Sequence, residues 1–124
     1  MIIGTARIVL SLPGNDSLKG KRKVLRRVVD RVRHRHNAAI AEVADQDEHR
    51  RAVLGLAVVS NDGRHAQSML DTVLDFVEQS SEVPITERRT ELLHLGDGEH
   101  YGMELDWDVE AEERLLAGDD DGRG

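Results

Sequence analysis

Residues 2–36 read IIGTARIVLSLPGNDSLKGKRKVLRRVVDRVRHRH, and the hydrophobic period changes partway through. In residues 2–12, Ile2, Gly4, Ala6, Ile8, Leu10 and Leu12 fall on one side of an alternating pattern. Ile3, Thr5, Arg7, Val9 and Ser11 fall on the other. A period of two marks a half-buried strand. Pro13-Gly14-Asn15-Asp16 has turn chemistry, and Ser17 suits a helix N-cap. Residues 18–36 then follow a helical period. At about 100° per residue, Leu18, Val24, Leu25, Val28, Val29 and Val32 share an arc of roughly 140°. Lys19, Arg22, Lys23, Arg26, Arg27 and Arg33 occupy an opposite arc of similar width. Lys21 falls inside the apolar arc, in the first turn, where its stem is expected to snorkel outward. Gly20 is a weak point, costing about 1 kcal/mol relative to Ala.

Working outward, residues 38–45 (AAIAEVAD) read as a second strand and Gln46 to Arg51 as a polar connection. Residues 52–60 (AVLGLAVVS) are nearly continuously apolar, as a central strand would be. Gly55 within them marks a bulge or a close backbone approach. Asn61-Asp62-Gly63 is again turn and cap chemistry. Residues 64–79 form a second helix with Asp71, Asp75 and Glu78 on its outer face. After Pro84, residues 85–95 (ITERRTELLHL) read as a strand that is polar on both faces, as an edge strand can be. The order β-α-β-β-α-β predicts an α+β fold: a ferredoxin-like sandwich over residues 1–95, with two helices covering one sheet face. The other face is left for solvent or a partner. From Gly96 the pattern fails. Residues 108–117 suit a short helix capped by Asp108, and 96–124 as a whole read as an acidic, flexible C-terminal tail.

A chain of 124 residues is one domain's worth. At 33% charged and 39% hydrophobic it has an ordinary globular composition. It has no cysteine, which excludes disulfides, thiolate catalysis and cysteine-ligated metal. No apolar run reaches membrane-span length and the N-terminus lacks a signal-peptide layout, so a cytoplasmic protein without a membrane partner is expected. The net charge of −7 conceals a split. Residues 1–40 hold 10 Lys and Arg against 2 Asp and Glu, whereas the last 28 residues hold 2 against 11. Such asymmetry points to a basic partner-binding face and an acidic tail.

The row of six cations on the first helix is the best functional signal, because it creates a positive potential suited to phosphates. The alternative is a solvated face, or one paired with Asp71, Asp75 and Glu78. No aromatic lies in any proposed strand, so base stacking on the sheet is not expected. The loop Pro13–Ser17 leads into a helix N-terminus near Lys19, Lys21 and Arg22, an arrangement compatible with anion binding and with an acylphosphatase-like use of Asn15. Asp16 would repel the anion. His34 and His36 point about 200° apart and cannot share a metal on an intact helix. Asp45, Asp47, Glu48 and His49 match no standard calcium or zinc spacing. Gly96-Asp97-Gly98 is not a phosphate loop. No cofactor and no metal are expected.

The segments IIGTARIVLSLPGNDSLKGKRKVLRRVVDRVRHRHN, AEVADQDEHRRAVLGLAVVSND and RHAQSMLDTVLDFVE resemble the YlxP-like family, bacterial proteins long labelled a domain of unknown function. The match covers roughly residues 1–92. Its most specific stretches are Ser17-Leu18-Lys19 through Lys21-Arg22, Ala41-Glu42-Val43 and Val59-Ser60-Asn61-Asp62. The resemblance implies a ferredoxin-like domain. Genes of the family commonly lie among those for transcription and translation factors, ribosome-binding factor A and a tRNA pseudouridine synthase, which implies an RNA or ribosome connection by association. Where the family usually has Glu this chain has Gly20, so the Ser-x-x-Glu capping box is absent. The acidic tail exceeds the common family length.

These readings converge on a non-enzymatic accessory factor touching structured RNA or the ribosome through Lys19, Arg22, Lys23, Arg26, Arg27 and Arg33, each neutralising phosphate and none reading bases. The competing class is a protein–protein module or homodimer that packs its open sheet face, with Thr5, Arg7 and Val9 in the interface. An acylphosphatase-like enzyme is a remote third option. The tail, at net −9 over residues 97–124, is either a solubilising segment or an autoinhibitory one that competes with nucleic acid for the basic region.

Overall fold

A computed structural model describes residues 1–80 and 82–96. The expectations for residues 97–124, including the 108–117 helix, lie outside them. The elements are β1 (Ile2–Ser11), α1 (Leu18–Arg35), β2 (Ala39–Ala44), β3 (Arg51–Ser60), α2 (Gly63–Ser80) and β4 (Ile85–His94). The strands form one sheet in the order β2-β3-β1-β4 with every neighbouring pair antiparallel. This is the ferredoxin-like arrangement.

The alternation in β1 decides which face is covered. Ile2, Ala6, Ile8 and Leu10 are buried beneath the helices, beside Ala52, Leu54, Leu56 and Val58 of β3. Leu25, Val28 and Val32 of α1 and Ala66, Leu70, Val73, Leu74 and Val77 of α2 complete a single hydrophobic cluster. Gly4 admits α2 closely: a Cβ there would stand 3.0 Å from Leu70 Cδ1 and 3.0 Å from Val58 Cγ2. β4 is exposed on both faces except at Ile85 and Leu92, as an edge strand rich in charge should be. Gly55 is a close approach and not itself a bulge. The register shift lies across from it, between Glu42 and Ala44 of β2, and the Val43 side chain lies over the glycine, 2.9 Å from where a Cβ would stand.

Lys21 does not snorkel outward. It is 1% exposed, and its Nζ donates to the carbonyls of Asp45 at 2.7 Å and Glu48 at 2.6 Å. Glu42 Oε2 lies 2.7 Å from the same ammonium, as an ion pair misaligned for a directed hydrogen bond. The β2–β3 connection folds over the start of α1 and supplies acceptors that a lysine stem can reach without leaving the apolar stripe. Asp45 turns the chain there with φ of 55°, a conformation Asp tolerates better than most residues.

Ser17 caps α1 by accepting from Gly20 N at 3.0 Å. The missing capping-box side chain has a spatial reason. A Cβ on Gly20 would overlap Asn15 Oδ1, and Asn15 is held by donating Nδ2 to the carbonyls of Ser17 and His49. Asn15 fills the space in which a longer residue 20 would begin.

Two stability predictions follow from this packing. Lys21→Met leaves Glu42 without its counter-charge and should cost about 3 kcal/mol in urea unfolding, with Lys21→Met/Glu42→Leu recovering part of the loss. Gly20→Ala should destabilise the wild-type chain despite its helix propensity. In an Asn15→Ala background the same change should stabilise by up to about 1 kcal/mol, a sign reversal read from a double-mutant cycle.

Candidate polyanion-binding surface on helix α1

The buried stripe of α1 (Lys21, Leu25, Val28 and Val32) fixes the rotation of the helix about its axis. The opposite side therefore faces water. Lys19, Arg22, Lys23, Arg26, Arg27 and Arg33 are all exposed, as the periodicity predicts. They are not equivalent. The side chains of Lys19, Arg22, Lys23 and Arg26 have no hydrogen-bond or ion-pair partner among the described residues. Arg27 Nη2 lies 3.3 Å from Glu82 Oε1, in an exposed pair of the kind that contributes little. Arg33 donates Nη2 to the Ile40 carbonyl at 3.0 Å, capping the outer edge of β2. Lys19 and Arg26, seven residues apart, are separated by about 10 Å along the axis.

The acids expected as competitors are directed elsewhere. Asp75 and Glu78 of α2 bind Arg88 of β4, at 3.4 and 2.7 Å. The Glu78 hydrogen bond raises the Arg88 pKa above its ordinary value; burial opposes it, and the Asp75 hydrogen bond and the charges of both carboxylates add to the rise. Asp71 accepts from Gln67 at 3.0 Å. None of the three pairs with α1. Asp30 is exposed and lies at about the same helical angle as Lys19 and Lys23, diluting the row at its middle.

Two further cations of α1 act laterally. Arg31 donates Nη1 to the Ser80 carbonyl at 2.7 Å, tying α1 to the end of α2. Arg35 stands 5.3 Å over the Phe76 ring, and His36 meets the same ring edge-on at 4.9 Å. Arg31 sits between the apolar and outward arcs, a flanking position that helical periodicity flags only weakly.

The other candidates resolve into local structure. Asn15 points its amide hydrogens at backbone carbonyls and offers neither to an anion. Asp45 pairs with Arg51 at 2.9 Å, Glu48 accepts from Arg50 N at 3.3 Å, and the carbonyls of both hold Lys21. Among the described residues no group of three or more His, Asp or Glu is placed to hold a metal, and no helix is long and apolar enough to cross a membrane. Phe76 on α2 is the only described Phe, Tyr or Trp, so no such ring lies on the sheet.

Residues 3–90 match the family model described as "Protein of unknown function (DUF503)". The chain is 36% identical over 90 residues to "Uncharacterized protein YlxP" of Bacillus subtilis (strain 168), covering 73% of this chain and 98% of the relative. Among solved structures it is similar to a de novo designed protein with a ferredoxin fold, at a TM-score of 0.44 and 16% identity, covering 79% of this chain and 90% of the designed one. A match that runs from β1 through both helices into β4 places the chain in the DUF503 family.

Proposed function

We propose that the protein is a non-enzymatic accessory factor that docks on the phosphate backbone of structured RNA, alone or within the ribosome, through α1. The observation that carries this reading is the set of four exposed cations, Lys19, Arg22, Lys23 and Arg26, with no carboxylate partner among the described residues. A row of unneutralised charge on a rigid helix gains from releasing the counterions of a polyanion. The arrangement favours contact with backbone over contact with bases. The side chains are flexible cations without an aromatic beside them, and the sheet offers no stacking platform among the described residues. Arg27 joins the contact at the small cost of an exposed ion pair. Arg33 stays with the β2 edge and contributes mainly to the field. The Asn15 amide, directed at carbonyls, supports a binding role over an acylphosphatase-like one. A location in the cytoplasm, where such RNA is found, belongs to the same proposal.

The test is RNA affinity of the full chain measured by fluorescence anisotropy on a duplex-containing RNA. Four or five phosphate contacts should give a log–log salt slope of about −3 to −4. The triple variant Arg22→Glu/Lys23→Glu/Arg26→Glu should weaken binding at least tenfold at low salt and leave the melting temperature nearly unchanged, because these side chains are exposed and make no ion pair among the described residues. Equal affinity of wild type and triple variant, or no binding by either, would overturn the proposal. Changing the duplex sequence at constant length should alter affinity little.

A further inference from the structure

We propose that the groove between the end of α1 and the first half of α2 is a binding site for a small phosphate ester, one whose phosphate is joined to a compact apolar or planar body. This inference does not rest on the RNA reading, which uses other residues of α1. The groove holds about 280 Å³, close to the lower limit of small-molecule sites. Its polar wall is made by Arg35, His36 and Asn37 at the end of α1 and by His65, Ser68 and Thr72 of α2. Val58 of β3 and Met69 and Val73 of α2 give it an apolar side.

The spacing of residues 65, 68, 69, 72 and 73 is that of one helical stripe, so α2 presents all of them to the groove together. Among the described residues no carboxylate lines the groove, although α2 carries Asp71, Asp75 and Glu78. Those acids are engaged elsewhere: Asp75 and Glu78 bind Arg88, and Asp71 accepts from Gln67.

The wall is also unused by the chain itself. The side chains of Arg35, Asn37, His65, Ser68 and Thr72 make no hydrogen bond or ion pair among the described residues. His36 Nε2 is buried without a hydrogen-bond partner, a state that costs about 1–3 kcal/mol until a partner reaches it. Arg35 is nevertheless held in place. Its guanidinium lies 5.3 Å over the Phe76 ring, while His36 meets that ring edge-on at 4.9 Å. A guanidinium resting on a ring face is oriented before a ligand arrives and keeps its N–H donors available.

One full positive charge, several idle donors and no acid select an anion. The carbonyl end of α1 places about half a negative charge nearby, which one guanidinium outweighs. A phosphate supplies more acceptor oxygens than a carboxylate and so suits donors that converge from two helices. The apolar side then takes the body to which the phosphate is attached, with the flexible Met69 adapting to its shape. Inorganic phosphate would leave that side bare.

Titration of adenosine monophosphate into the full isotope-labelled chain, followed by amide and imidazole resonances, tests this. Saturable shifts are expected at Arg35, His36, His65, Ser68 and Thr72 and not along the row from Lys19 to Arg26. Inorganic phosphate and adenosine, each offering only part of the ligand, should bind about tenfold more weakly or worse. Arg35→Met, and separately Ser68→Ala/Thr72→Val, should each weaken the nucleotide about tenfold. All three residues are exposed, so the fold should be retained. A single-stranded RNA with a terminal phosphate, compared with the same strand ending in a hydroxyl, separates the two sources of such a group. A response to the free nucleotide alone makes the ligand a small molecule, and a response to the phosphorylated strand but not the hydroxyl one makes it an RNA end. No saturable shift in the groove, equal affinity for adenosine monophosphate and either of its parts, or unchanged affinity in both variants would each overturn the proposal. The α1 triple variant should bind the nucleotide as the wild type does, so this inference and the RNA reading fail separately.

Discussion

The rotation of α1 about its own axis governs most of what this domain presents to its surroundings. Leu25, Val28 and Val32 enter the same cluster as Ile8, Leu10, Leu54 and Leu56. Turning the helix by a quarter turn would expose three apolar side chains and push cations toward the sheet, at a cost of several kcal/mol on area grounds alone. The packing therefore holds Lys19, Arg22, Lys23 and Arg26 in water without an ion pair to any of them among the described residues. Positive charge on this helix is a by-product of which side the core demands, and its availability is decided by where the nearby carboxylates are held.

Those carboxylates are held by β4. Arg88 occupies Asp75 and Glu78 of α2, and it can do so because its register places it beside Ile8, on the helix-covered side of the sheet. An edge strand of poor apolar content thus has a definite electrostatic task. The same strand contributes Glu87, Arg89 and Glu91 to the opposite face, where the alternation of one residue reverses the surroundings. The domain consequently has two sides of different character: a helix with a large positive excess, and a neutral, partly apolar sheet.

The start of α1 shows how a sequence can be locally irregular and still well determined. A lysine at an apolar position and a glycine in a first turn both look like faults in a helix. In the folded chain the β2–β3 connection brings two carbonyls and the Glu42 carboxylate to Lys21, and Asn15 occupies the space above Gly20. Both compensations come from residues that join the helix start only when the chain folds. A buried ammonium needs several convergent acceptors, and here they are mainly backbone, so no side-chain motif advertises them.

The element order, the covered face of β1, the edge character of β4, the Ser17 cap and the outward row on α1 were all legible in the sequence. Each follows from a local period or from the chemistry of one residue, and local periods survive folding because burial enforces them. The burial of Lys21, the diversion of Asp75 and Glu78 to Arg88, and the use of Arg31 and Arg33 as fasteners were decided only by tertiary structure. Each depends on which distant backbone or side-chain group arrives within about 3 Å, and that is set by sheet register and helix placement across tens of residues, which no periodicity within one segment encodes.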